Sequence, residues 1–186
     1  MQTMSTVSLV TAEELWEKYS HKHRCELIAG EVVIMSPAGW RHGEIGSTIH
    51  GLLWEHVRAN HLGKLFGAET GFLVERDPDT VRAPDVAFIA KQNLPAEMPE
   101  TAFWPGAPDL VVEVLSPDDR TAAVDQKIRT WLNAGAKLVW VVDPELETVT
   151  IYRSPTDVSI VSREGRLAGN DSLAGFECDV REFFAE

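Results

Sequence analysis

A chain of 186 residues, 44% of them hydrophobic, can bury one good core, so residues 1–186 are expected to form a single domain. Seventeen basic against 29 acidic residues leave a formal net charge of −12, which argues against holding nucleic acid by broad electrostatic attraction while permitting a local basic patch. Met1–Val10 lacks a basic stretch followed by an apolar core, no apolar run nears the roughly 20 residues of a membrane-spanning helix, and Cys25 and Cys178 have neither disulfide-framework nor thiolate-metal spacing; the expectation is a cytoplasmic protein with no membrane partner.

Thr11, three residues before Glu14, predicts a capping box opening a short helix that ends near Tyr19. The following loop, His21-Lys22-His23-Arg24, is polar, and its two histidines read as solvated rather than as metal ligands. Cys25 to Met35 predicts two short strands turning at Ala29-Gly30. From Arg41 to about His61, Ile45, Ile49, Leu52, Leu53 and Val57 recur at helical spacing, a long helix with one buried face. His42, His50, His56 and His61 ride on it without the HExxH spacing of a helical zinc site.

Gly63 closes that helix, and Lys64 to Glu75 reads as one strand or two short ones. After a polar turn, Arg76 to Thr80, Pro84 forces an extended entry into the strand Val86–Ala90, with Asp85 at its mouth. Residues 92 to 108 carry Pro95, Pro99, Pro105 and Pro108 and read as a Pro-broken excursion rather than an element, a packed loop in preference to a flap. Leu110 to Leu115 is apolar on both faces, the pattern of a central strand covered on both sides. Glu113 sits in its middle, and a carboxylate there is costly unless paired, hydrogen-bonded or bound to a cation.

A second long helix is expected from Thr121 to Ala134, ended by Gly135, with Val124, Ile128, Trp131 and Leu132 as its buried stripe. At about 100° per residue Lys127 falls at the edge of that stripe, where a lysine can lean over the sheet. Lys137 to Asp143 is another apolar strand, and strand, helix, strand in this order implies a parallel crossover. Thr148 to Arg153 and Val158 to Val161 read as an antiparallel pair, and Asp179 to Phe184 as a capped final turn docked by its phenylalanines.

Asp85, Glu113 and Lys127 therefore fall on three consecutive elements. Two carboxylates on neighbouring strands suit a hard cation such as Mg²⁺, and a lysine nearby can orient or deprotonate an attacking water. Singly, each has a structural explanation: a turn residue, a salt-bridged core acid, a lysine stem lying along apolar surface.

These residues, with Glu26-Leu27-Ile28, Gly30-Glu31-Val32, Met35-Ser36-Pro37, Arg41-His42, Pro84-Asp85-Val86, the run Ala107 to Pro117 and Trp140 to Pro144, carry a resemblance to the Uma-type restriction endonuclease family, a branch of the PD-(D/E)XK nuclease superfamily, from about Glu26 to Arg153. The resemblance implies an α/β fold (α+β mixed sheet), a restriction-endonuclease-like αβββαβ core with extra antiparallel strands at both ends. It also implies Asp85, Glu113 and the backbone carbonyl of Val114 as ligands of Mg²⁺, with Mn²⁺ as a substitute, Lys127 as the catalytic lysine and Glu26 as an additional acid beside the metal. The superfamily's usual lysine position is Leu115 here, so activity depends on Lys127 reaching in from the helix; Ala29 and Trp131 also depart from the family's commoner residues. Arg41, His42 and Arg129 are named for phosphate contact from their positions alone. The expected substrate is DNA, and because nucleases that cut both strands often act in pairs, a homodimer is an open expectation. A binding or assembly module that retains the fold without turnover is the competing reading. A third is a structural Glu113–Lys127 ion pair with no room for an ion.

Overall fold

The Thr11 hydroxyl accepts a hydrogen bond from the Glu14 N–H while the Glu14 carboxylate accepts one from the Thr11 N–H, both at 3.2 Å, and this capping box opens α1 (Ala12–Lys18) as the spacing predicts. The structure, a computed structural model, describes residues 9–97 and 103–184. Residues 1–8, on which much of the N-terminal reading rests, and 98–102, which include Pro99 of the Pro-broken excursion, lie outside the described residues.

β1 (Cys25–Ile28) and β2 (Glu31–Ile34) form a hairpin whose two-residue turn has φ of 49° at Ala29 and 80° at Gly30, the double positive φ that twisted strands favour. α2 (Trp40–Ala59) follows, then β3 (Gly63–Gly67), β4 (Phe72–Glu75), β5 (Thr80–Arg82) and β6 (Val86–Ala90). A Cβ on Gly63 would lie 2.0 Å from the Ile89 carbonyl oxygen, so only glycine lets β3 start against β6. β7 (Trp104–Pro105) precedes the central β8 (Leu110–Val114), α3 (Thr121–Asn133), β9 (Leu138–Asp143), β10 (Thr148–Tyr152) and β11 (Val158–Ser162). β12 (Arg166–Ala168) and β13 (Glu177–Asp179) make a small ribbon, and a final 3₁₀ turn, Val180–Phe184, buries Phe183.

Among the described residues, one sheet runs β11-β10-β9-β8-β6-β3 and a second runs β2-β1-β5-β4-β7. β8 pairs in parallel with β9 across α3 and antiparallel with β6, giving a mixed α/β fold with β8 inside the larger sheet. Strand alternation decides what each face does. Leu110, Val112 and Val114 pack on the side of α2, with Ile45, Ile49, Leu53 and Val57. Val111 packs on the opposite side with Ile128 and Trp131 of α3, so Glu113, two residues on, points to that side as well. Trp131 and Trp140 are fully buried, and each such side chain contributes roughly 1.5–3 kcal/mol or more through the area it removes from water.

Three expectations change. The polar turn ends earlier than its composition implies, because Thr80, Val81 and Arg82 form a buried strand between β1 and β4. The Pro-broken excursion contributes an element after all: Trp104-Pro105 pairs in parallel with Phe72-Leu73, and Trp104 is buried against Phe66 and Phe72. β12 and β13 have no counterpart among the expected elements. No helix among the described residues is long and apolar enough to cross a membrane.

Asp109, 5% exposed, ties β8 to its surroundings by accepting from Ala90 N–H at 2.8 Å and Asn93 Nδ2 at 2.7 Å and pairing with Lys137 at 2.7 Å. Burial pushes its carboxyl up, but these donors outweigh it and hold the group below the ordinary carboxylate range. A depressed folded value stabilises the fold above the unfolded carboxyl's titration near pH 4, and that stability is lost as pH falls through the folded value. Asp109→Ala is expected to lower urea-unfolding stability by about 2–3 kcal/mol at pH 7. The gap to wild type should close below about pH 4, because only the wild type has this contribution to lose.

Candidate active site

Pro84 delivers Asp85 in extended conformation beside the end of β8, where the Asp85 N–H donates to the Val112 carbonyl at 3.1 Å. Its carboxylate Oδ2 in turn accepts from the Val114 N–H at 2.8 Å and lies 3.3 Å from His42 Nε2. Asp85 is thus stapled to the strand that carries Glu113, while its Oδ1 has no hydrogen-bond partner among the described residues.

Glu113, 7% exposed, is met by two donors from α3. Lys127 Nζ lies 2.7 Å from Oε2 and Trp131 Nε1 donates to Oε1 at 2.8 Å. Residues four apart on a helix share a face, so one turn of α3 supplies both donors. Burial, reinforced by the negative charges of Asp85 and Glu26 and opposed by Lys127, pushes the Glu113 carboxyl up to about 7. Burial pulls Lys127 down, but Glu113 and Glu26 outweigh it and keep the ammonium protonated above its ordinary range. For Asp85 burial pushes up and is outweighed by His42 and the Val114 N–H, leaving it below its usual value; the same contact raises His42.

Glu26 on β1 is 4% exposed, and both its oxygens are held: Oε2 by Arg82 Nη1 at 2.8 Å, Oε1 by the Ala83 N–H at 2.9 Å. It therefore anchors the segment that presents Asp85. Asp85, Glu113, Lys127, Glu26, Val114 and His42 all border one cleft of about 960 Å³. The Glu113–Lys127 contact is made, yet it faces that open space rather than a sealed core.

Arg41 and Arg129 are not brought there: both are exposed and neither borders the cleft. The reason is helical geometry. Arg41 is about 100° around α2 from His42, and Arg129 about 200° around α3 from Lys127. His42 does reach the site, but against a carboxylate. Among the described residues the cleft is also bordered by the cations Lys22, Arg24 and Arg82, which no spacing in the sequence marks out.

The donor set suits a hard cation in one specific way. Two carboxylates that repel one another, one of them raised to about 7, gain from a positive charge between them, and Asp85 Oδ1 is free to take it. No three His, Cys, Asp or Glu groups among the described residues gather closely enough to hold an ion by themselves, so the fit is to two carboxylates and a backbone oxygen with water completing the shell, as Mg²⁺ commonly accepts.

Residues 12–181 match the family Uma2, described as "Putative restriction endonuclease". No curated protein gives a significant match. Among solved structures, the crystal structure of a "putative nuclease belonging to DUF820" from Anabaena variabilis ATCC 29413 is similar with a TM-score of 0.74 and 21% identity, over 86% of this chain and 89% of that one, a likeness of fold.

Proposed function

The chain belongs to the Uma2 family of restriction-endonuclease-like proteins, and from that premise we propose that it is a Mg²⁺-dependent endonuclease, one nuclease domain over residues 1–186, that hydrolyses DNA phosphodiester bonds. The observation that carries the reading is the convergence of Asp85 from the mouth of β6, Glu113 from β8 and Lys127 from α3 on one open cleft. Asp85, Glu113 and the Val114 carbonyl would hold Mg²⁺, or Mn²⁺ in its place. The chemistry such an ion supplies is Lewis-acid stabilisation of charge building on the phosphate oxygens.

The chain's own groups divide the remaining work. Lys127, protonated beside Glu113, is a donor that orients the attacking water and the phosphate rather than a free base. Trp131 fixes the Glu113 carboxylate through Oε1. His42 fixes Asp85, and Glu26 with Arg82 holds the strand mouth from which Asp85 projects.

One observation favours a silent module instead: Lys127 and Trp131 already satisfy both Glu113 oxygens, so this carboxylate needs no ion. Calorimetric titration with Mn²⁺ and Mg²⁺, paired with a supercoiled-plasmid nicking assay, separates the two. The nuclease reading expects saturable binding near one equivalent and nicking that EDTA stops. Absence of both leaves the module.

A further inference from the structure

Among the described residues nine of the chain's 17 lysines and arginines pair with a carboxylate. Seven of the other eight are exposed, where water solvates the charge and a partner adds little. Arg24 is the exception: it is half-buried, and its guanidinium has no hydrogen-bond or ion-pair partner among the described residues. Burying a charge without a counter-charge is costly, and a chain with 29 acids has many carboxylates with which to offset it. The backbone at Arg24 is held in place. Its carbonyl accepts from the Met35 N–H at 2.9 Å, which extends the β1–β2 ladder by one pair, and alternation along the strand puts its side chain on the same face as Glu26. Arg24 borders the cleft together with Asp85, Glu113 and Lys127. It also borders a second hollow of about 410 Å³ that shares Asp85 and His42 with the cleft, reaches along α2 past Gly43 and Gly46, and is lined by neither Glu113 nor Lys127. Arg24 therefore stands at the passage between the two, close enough to His42 for its charge to oppose that ring's protonation. An arginine so placed is set for an anion brought from outside, and its planar fork matches a phosphate.

We propose that Arg24 binds the phosphate next to the one that is cut, so that a DNA strand runs from Glu113 and Lys127 past Asp85 into the second hollow. The proposal rests on the reading of the cleft as a DNA endonuclease site. It places the phosphate contact expected of Arg41 and Arg129 on a residue ahead of β1 instead. A flanking phosphate is selected over the scissile one because Arg24 adjoins the hollow that Glu113 and Lys127 do not line, and those two are the groups that would act at the scissile phosphorus. Gly43 and Gly46 leave open space where a Cβ would stand, so α2 offers the strand a floor of backbone rather than of side chains.

The test is equilibrium binding of a 5′-fluorescein duplex oligonucleotide, read by anisotropy in EDTA, where turnover plays no part, over a series of salt concentrations. Arg24→Gln should weaken binding about 10- to 100-fold and lower the slope of log affinity against log salt by about 0.9, the signature of one lost phosphate contact. Arg24→Lys should keep the slope while recovering only part of the affinity, because the charge remains and the fork does not. Arg58→Gln removes the same charge from an exposed site roughly 24 Å along α2 from His42, and should change binding less than twofold. The urea midpoint of Arg24→Gln should equal or exceed that of wild type, since the substitution removes an unpaired charge; a structural role would lower it. Loss confined to Arg24→Gln supports the phosphate site even in a protein that nicks no plasmid. Equal effects of Arg24→Gln and Arg58→Gln, an unchanged salt slope, or a wild type that binds no duplex overturns it even in a protein that does.

Discussion

Asp85→Asn should lower metal-dependent nicking by about 10³-fold while leaving the fold in place, because the substitution removes a charge and little else. The amide oxygen of asparagine still accepts from the Val114 N–H that now binds Asp85 Oδ2 at 2.8 Å, so the staple between β8 and the mouth of β6 survives. Removing a negative charge also relieves Glu113, whose value near 7 owes part of its rise to Asp85. The net change in stability should therefore stay within about 1 kcal/mol, read as the urea midpoint at constant slope. His42 loses the carboxylate that raises it and should return toward its ordinary range, a shift that ring-proton NMR can follow. Undiminished nicking by a folded Asp85→Asn protein would remove Asp85 from the chemistry.

The site residues differ in how much of their placement the chain order reveals, and the differences have physical causes. Asp85 and Glu113 are legible because each is an acid where apolar surroundings make an acid expensive, one behind a proline that sets extended backbone, the other inside a strand covered on both faces. Lys127 is legible through helical periodicity, which puts it at the stripe's edge. The same periodicity, applied to Arg41 and Arg129, shows why closeness in sequence misleads on a helix: one or two residues along is a different face.

Arg82 and Trp131 are harder to see. Arg82 lies on a three-residue strand too short to show alternation, behind a turn rich in polar residues, and its partner Glu26 is 56 residues away. Trp131 reads as core because it is core; its use as a donor to Glu113 depends on register between α3 and β8 that only the folded chain defines. β7 and the β12–β13 ribbon share this origin, since two or three residues carry no periodic signal and their pairing is set by distant partners.

Lys127→Met tests the other half of the pair, and its effects should separate binding from turnover. Without the ammonium at 2.7 Å, Glu113 keeps its burial and the repulsion from Asp85 and Glu26 but loses the group that opposes them, so its carboxyl should rise beyond 7 and be largely protonated at neutral pH. Calorimetric Mn²⁺ binding at pH 7 should fall, then recover near pH 9 as the carboxyl ionises. Nicking should stay down by about 10²–10³-fold at both pH values, because the donor itself is gone. The sign on stability follows from the same displacement. A carboxyl raised above its ordinary value of 4.5 binds a proton in the fold that it has lost in the unfolded chain, so stability declines as pH rises from 4.5 toward the folded value. In wild type that decline should level off near pH 7, and in Lys127→Met it should continue above it, visible as urea midpoints that diverge between pH 7 and 9. Recovery of full nicking along with metal binding at pH 9 would show that Lys127 serves only to keep Glu113 ionised.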